Sequence, residues 1–279
     1  MKADKKIKKT MVGIELVRRL AEEGDRIFTV ARTRELASKL GLRQGYLLEA
    51  LHHLHNNGWI IPIHRGLYRL SSSVPGISPV HEFELAMSLV KPAAISHWSA
   101  LHYHGLTEQI PRRVFVLTTT EVSVPRVRGK KGRPATGGYP VGDTVFQFIQ
   151  VTPGRYFGIE KVWVGEARVM MTDPERTLLD GLARPRYCGD FAEVLHALEA
   201  RGRKLDLKRI ISYALRLDAT VAKRLGWALE HQGIDRKRLS PLLKAPVRGF
   251  RRLDPSGPGR GPRNRDWMVR ENLAGNPAR

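Results

Sequence analysis

Residues 31–70 read ARTRELASKLGLRQGYLLEALHHLHNNGWIIPIHRGLYRL, and this stretch decides the fold of the N-terminal part. In its first third, Leu36, Ala37 and Leu40 recur at helical spacing, and Gly41 stands where a helix commonly ends on a left-handed residue. In RQGYLLEALHHLHNNG, Leu47, Leu51 and Leu54 form one stripe of a further helix, which Asn57-Gly58 ends. WIIPIHRGLYRL then alternates around Arg65-Gly66, the pattern of a β-hairpin. Upstream, MVGIELVRRLAEE places Ile14, Leu16, Val17 and Leu20 at helical spacing. Gly24-Asp25 stops that helix, and Ile27 to Val30 reads as a short strand.

Helix, strand, helix, glycine turn, helix and hairpin is the order of a winged helix-turn-helix, expected over residues 1–72. The expected partner is double-stranded DNA, with the third helix in the major groove and its N-terminal residues toward base edges. Arg43, Gln44 and Tyr46 point outward there, followed by His52 and His53. Arg can pair guanine O6 and N7, and Gln can pair adenine N6 and N7. His64 and Arg65 sit at the wing tip, in reach of phosphates or the minor groove. Arg32, Thr33 and Arg34 at the start of the second helix are placed to hold the DNA backbone, where the helix dipole attracts anions. A winged helix can instead serve protein contacts, but Arg, Gln, Tyr and His favour DNA over an apolar partner. His52, His53 and His55 point in different directions on a helix, and no Cys or carboxylate cluster completes a metal site.

The whole chain has 279 residues, 48 Lys+Arg against 27 Asp+Glu, and a formal net charge of +21. Hydrophobic residues at 42% suffice for a core, so wholesale disorder is excluded. One cysteine, Cys188, excludes a disulfide framework and suits a reducing cytosol. No run is long and apolar enough for a membrane span, and MKADKKIKKT lacks the features of a signal peptide. The chain is expected to be cytoplasmic, with a polyanion as partner and no membrane contact. The charge is uneven: residues 1–72 carry net +7, residues 73–190 net +3 and residues 191–279 net +11. A high-GC genome accounts for an arginine excess but not for this distribution.

Ser71 to Gly76, SSSVPG, reads as a linker by composition. A mixed α/β domain with a small sheet is expected over 78–185. HEFELAMSLV reads as a helix, as does the segment that Ser96 can cap and Gly105 can end. RRVFVLTTT, TVFQFIQV, KVWV and EARVMM read as strands. Thr172 and Glu175 fit a capping box, with Pro174 tolerated in the first turn. The loop 126–133, with Arg126, Arg128, Lys130, Lys131 and Arg133, is a basic excursion. His97, His102 and His104 are assigned to packing and local hydrogen bonds. No phosphate cradle, paired catalytic carboxylates or nuclease-type carboxylate-x-lysine spacing appears: Glu160 is followed directly by Lys161. An enzyme, a cofactor and a bound metal are therefore not expected.

FAEVLHALEARG, LKRIISYALRL, TVAKRLGWALEHQG and DRKRLSPLLK read as amphipathic helices of a C-terminal region, 190–279. Leu195, Leu198, Ile210, Ile211, Leu215, Leu225 and Leu229 are placed inward. Arg201, Arg203, Lys204, Lys208, Arg209, Arg216, Lys223, Arg224, Arg236, Lys237 and Arg238 are placed outward. Such a basic array suits a nucleic-acid backbone, including an RNA contact. The Gly- and Pro-rich tail is expected to wrap the surface, pinned by Phe250, Leu253 and Trp267, and to fray from Asn272 onward. The fold class is thus α+β: a winged helix-turn-helix, a mixed α/β domain and a helical C-terminal region.

In the same order along the chain, SHWSALHYHGL (96–106) and VMMTDPERTLLDGL (169–182) resemble the AbiEi family of abortive-infection antitoxins and regulators of viral defence. The family's Ser-His-x-Ser-Ala-Leu-x-x-His-Gly-Leu block is met by Ser96, His97, Ser99, Ala100, Leu101, His104, Gly105 and Leu106. Its Asp-Pro-Glu-Arg-Thr-Leu-Leu-Asp block is met by Asp173 through Asp180, and a tail like RLDPSGPGRGPRNRDWMVREN also recurs. The basic start and the loop 126–133 fall outside the resemblance. The resemblance implies a bacterial type IV antitoxin that represses its own promoter by binding inverted repeats. It also implies an antidote to a nucleotidyltransferase-like toxin, acting without a stable complex with that toxin. Two other readings stay open at this point: a DNA-binding regulator of a defence locus without antitoxin activity, and a nuclease.

Overall fold

The computed structural model describes residues 13–41, 44–64, 66–122 and 138–273, and of Gln44 and Arg203 the backbone but not the side chain. The architecture is mixed α+β and falls into two compact units. One comprises residues 1–88 with 140–143, the other 89–139 with 144–279.

In the first unit, helix α1 (13–22) buries Leu16, Val17 and Leu20, its apolar stripe. Strand β1 (Ile27–Thr29) leads into α2 (Val30–Lys39), where Thr29 Oγ1 accepts a hydrogen bond from the Arg32 amide at 3.2 Å. Gly41, at φ +69°, turns the chain in the left-handed region before α3 (Gln44–Asn56). β2 (Ile60–His64) and β3 (Leu67–Leu70) form the hairpin, and the antiparallel sheet has the order β1-β3-β2. Pro62 lies on the edge strand β2, where its missing N–H costs no central pairing. Leu36, Ala37, Leu47, Leu51, Leu54, Phe28, Ile60 and Leu70 join the α1 stripe in one core. Val74 belongs to that core and Ser73 Oγ donates to the Gly58 carbonyl at 3.0 Å, so the expected linker 71–76 is packed structure. Helix α4 (Glu82–Leu89) follows.

A six-stranded sheet has the order β6-β7-β5-β4-β9-β8, and the second unit holds all of its strands except β6, two of whose three residues are counted with the first. Its strands are β4 (Ala94–Ile95), β5 (Val114–Thr118), β6 (Tyr139–Val141), β7 (Thr144–Gln150), β8 (Ile159–Val164) and β9 (Ala167–Thr172). β4 and β9 are parallel neighbours, and each runs straight into a helix, α5 (His97–Tyr103) and α6 (Pro174–Ala183). β5 and β7 are also parallel, whereas β4–β5 and β8–β9 are antiparallel. Helices α7 (Phe191–Arg201), α8 (Leu207–Leu217), α9 (Ala219–His231) and α10 (Ser240–Leu243) complete the unit. The tail folds as three short strands, β10 (Arg251–Arg252), β11 (Arg263–Asn264) and β12 (Val269–Arg270), ordered β10-β12-β11.

Residues 78–185 and 190–279 were expected as separate regions, yet Leu101, Leu178, Leu182, Val194, Ile210, Leu225, Leu253 and Trp267 share one core. The reason is α9. It packs against α6, α8 and α10, so every residue from 221 to 229 is buried. Lys223 and Arg224, expected to face outward, are buried with it. Lys223 Nζ reaches the Leu243 carbonyl at 2.5 Å, and Arg224 donates to the Leu182 carbonyl at 3.0 Å and to that of Arg252. The tail is pinned by Leu253 and Trp267 as expected, while Phe250 is half-buried beneath the Arg263 guanidinium. Asn272, expected to fray, is 2% exposed, and its amide bridges the Asp254 and Pro258 carbonyls at 2.8 Å each. The loop 126–133 lies outside the described residues.

Candidate nucleic-acid interface

The start of α2 differs from the sequence reading at two of its three positions. Arg32 pairs with Asp25 at 2.7 Å, with Glu35 at 2.8 Å and with Glu23. The hydrogen bonds to Asp25 and Glu35 push its pKa up, so its fork is occupied by the chain's own carboxylates. Thr33 is fully buried and its Oγ1 donates to the Val30 carbonyl at 2.8 Å. It shares the inner face with Leu36 and Ala37, three and four residues on, and cannot meet a phosphate. Arg34 is exposed and makes no ion pair among the described residues.

On α3 the leucine stripe fixes what remains outward. Tyr46 is exposed, as are Gly45, Leu48, Glu49 and His52. Leu48 is 63% exposed, the larger apolar surface on this helix. Leu48 and Glu49 were missed, although by the 3.6-residue period Glu49 lies opposite Leu47 and Leu51 and Leu48 flanks them. His52 Nε2 accepts from the Asn56 amide at 3.1 Å, His53 is half-buried, and His55 Nδ1 lies 3.4 Å from the Ile60 carbonyl. His64 is exposed at the end of β2. Arg43, Arg65 and the Gln44 side chain lie outside the described residues. Among the described residues no group of three His, Cys, Asp or Glu side chains is placed to hold a metal ion.

The charge of this unit is also unevenly placed. The described residues of 13–72 carry seven basic and six acidic side chains. Arg18 and Arg19 are paired along α1 with Glu15 and Glu22. The excess lies at Lys2, Lys5, Lys6, Lys8, Lys9, Arg43 and Arg65, offset by Asp4.

In the C-terminal helices, Arg201 and Arg209 turn to the buried Glu175 carboxylate, at 3.1 and 3.7 Å, and Arg216 stacks 3.9 Å over the Phe157 ring. Arg236 reaches Asp266 at 3.0 Å. Lys204, Lys208, Lys237 and Arg238 remain exposed.

The two blocks that carry the family resemblance pack against each other. His104 donates from Nε2 to the Thr172 carbonyl at 2.8 Å, and Ser99 Oγ accepts from the Phe115 amide at 3.0 Å. The helix cap is Asp173, accepting from the Arg176 amide at 2.7 Å, and not the Thr172–Glu175 box. Thr172 Oγ1 instead lies 2.7 Å from Thr177 Oγ1, and Glu175 accepts from the Asp206 amide at 3.2 Å. Burial raises the Asp173 carboxyl pKa against the hydrogen bonds that lower it.

No protein-family model and no curated protein matches the chain. The crystal structure of the RV2827C protein from Mycobacterium tuberculosis is similar in fold, with a TM-score of 0.64 at 14% identity. The match covers 93% of this chain and 90% of that chain. No helix among the described residues is long and apolar enough to cross a membrane.

Proposed function

We propose that the chain is a DNA-binding transcriptional autorepressor whose first unit is a winged helix-turn-helix, and that it is also an antitoxin of the type IV kind. One observation carries the first half. α2, the Gly41 turn and α3 precede an antiparallel hairpin, and Tyr46, Leu48, Glu49 and His52 of α3 are exposed. These exposed side chains suit base edges, since Leu48 can meet a thymine methyl and His52 a base acceptor. Phosphate attraction is assigned to the lysines of residues 1–12 together with Arg34 and Arg65, and base reading to Arg43 and Gln44 at the start of α3. The antitoxin half rests on the resemblance of the 96–106 and 169–182 blocks and on no side chain of its own.

The test is binding of the full chain to its own promoter region. Protection of an inverted repeat, with half-sites one helical turn or a multiple apart, is the expected result. Equal affinity for promoter and unrelated DNA would overturn it. For the second half, the chain is co-expressed with the neighbouring reading frame. Rescue from a nucleotidyltransferase-like toxin supports antitoxicity, and promoter binding without rescue leaves a regulator only.

A further inference from the structure

The second unit encloses a cavity of about 200 Å³ on a face of its sheet, under α6 and the α8–α9 junction. Its charged lining is Arg155, Arg176, Arg184 and Arg224 against Asp180 and Asp218. Arg176 pairs with Asp180 at 3.0 Å, and Arg155 pairs with Asp218 at 3.2 Å. Arg224, 7% exposed, is held by carbonyl oxygens and no carboxylate. Arg184 ends α6 half-buried with no ion pair and no side-chain hydrogen bond among the described residues. Four arginines against two aspartates leave the lining itself with two positive charges in excess, though Asp254 beyond the lining also acts on Arg224. With Arg224 buried and Arg184 half-buried, this excess is costly, and a bound anion lowers the cost.

Two further observations point to a ligand. Arg176 is fully buried, and of its guanidinium Nη1 serves the Arg155 and Phe157 carbonyls at 2.8 and 2.9 Å while Nη2 has no partner. Asp180 Oδ2 is likewise buried without a partner. Beside them His97, 2% exposed, holds φ +49°, a left-handed conformation unusual for a side chain of its size. Backbone outliers of this kind collect at binding and switch sites. A second hollow of about 430 Å³ shares Val151, Arg155 and Arg184 with the first and is lined further by Thr119, Gln150 and Thr152. Cavity and hollow together are on the scale of small-molecule sites, roughly 300–1,000 Å³.

We propose that this cavity binds a small phosphate monoester, its phosphoryl group between Arg184, Arg176 and Arg224 and its polar body in the Thr119–Gln150–Thr152 hollow. Charge selects the class. A phosphate monoester carries about −1.5 to −2 at neutral pH, which matches a lining with two positive charges in excess better than a single carboxylate does. Planar arginine forks also meet phosphate oxygens two at a time. The inference is independent of DNA binding, since the residues belong to the other unit.

The test is calorimetric titration of the full chain, without DNA, with inorganic phosphate, a nucleoside 5′-monophosphate and sulfate. One site per chain is expected, with the phosphates ahead of sulfate. Arg184→Gln should weaken binding about tenfold or more. Arg184→Lys should recover part of it, and the exposed control Arg238→Gln should change nothing. Tighter binding of the nucleotide than of inorganic phosphate assigns the hollow to an organic body, and equal binding assigns the site to free phosphate. Three results overturn the proposal: no binding, binding that Arg184→Gln leaves intact, or equal weakening in Arg184→Gln and Arg238→Gln.

Discussion

The Cβ that Gly226 lacks would stand 1.9 Å from Cζ3 of Trp267, so α9 is notched to admit an indole from the tail. The Trp267 ring is fully buried and its Nε1 donates to Glu230 Oε2 at 2.5 Å. Two effects oppose each other in Gly226→Ala. Helix propensity favours alanine by about 1 kcal/mol. Overlap with a ring that cannot retreat costs about 3 kcal/mol or more. Packing wins, and urea unfolding should show a net loss of about 2 kcal/mol or more with the slope unchanged. The double variant Gly226→Ala with Trp267→Leu should lose less than the two single losses added together.

Arg176 and Asp180 are one turn apart on α6 and both buried, so neither charge has water to fall back on. Arg176→Met strands the Asp180 carboxylate and frees the Arg155 and Phe157 carbonyls. The expected loss is about 3–5 kcal/mol by urea unfolding. Adding Asp180→Leu should restore part of that stability, because removing both charges costs less than orphaning one. A double variant as unstable as the sum would mean that the carbonyl bonds, not the ion pair, hold the turn.

The first unit was legible because its pattern is local. Leu36 and Ala37, then Leu47, Leu51 and Leu54, announce two helices, and Gly41 and Gly66 punctuate them at positive φ. Its interface was less legible. Arg32 reads as a phosphate contact until its three carboxylates are seen, one of them nine residues away. The second unit hid more, because burial there is tertiary. Lys223 and Arg224 look like a solvated face, and only the helices around α9 turn them inward. The arginine cavity draws on residues from His97 to Arg224, a span that no spacing rule connects.

His97 links stability to pH. Burial, against the raising influence of Asp180, holds its pKa down at about 4. The unfolded chain binds a proton near pH 6.5, so between about pH 6.5 and 4 it holds more protons than the native state at this site. The contribution of His97 is therefore complete above that window and lost as pH falls through it, by about 3 kcal/mol. His97→Gln should flatten the acid limb of the stability curve. A variant limb parallel to wild type would assign the slope to carboxylates such as Glu15 and Glu35, whose pKa values are lowered by Arg18 and Arg32.

DNA affinity should divide into two separable parts. The described residues of 13–72 are close to neutral, so attraction to phosphates falls to the lysines near the start and to Arg65. Replacing Lys5, Lys6, Lys8 and Lys9 with Gln should weaken binding to all sequences alike. It should also reduce the slope of log affinity against log salt by about one for each phosphate that is no longer neutralised. Arg43→Ala should act differently. If Arg43 reads a base, it costs about 1–3 kcal/mol at one operator position and relaxes the preference there, with little change for unrelated DNA. Uniform weakening by Arg43→Ala would make it a phosphate ligand and leave base reading to Gln44, Tyr46 and Leu48. Should the lysine variant keep its full salt slope, the phosphates are held instead by exposed cations of the second unit such as Lys208 and Arg238. The α3 face would then be released for a protein partner, to which 63% exposed Leu48 is well suited.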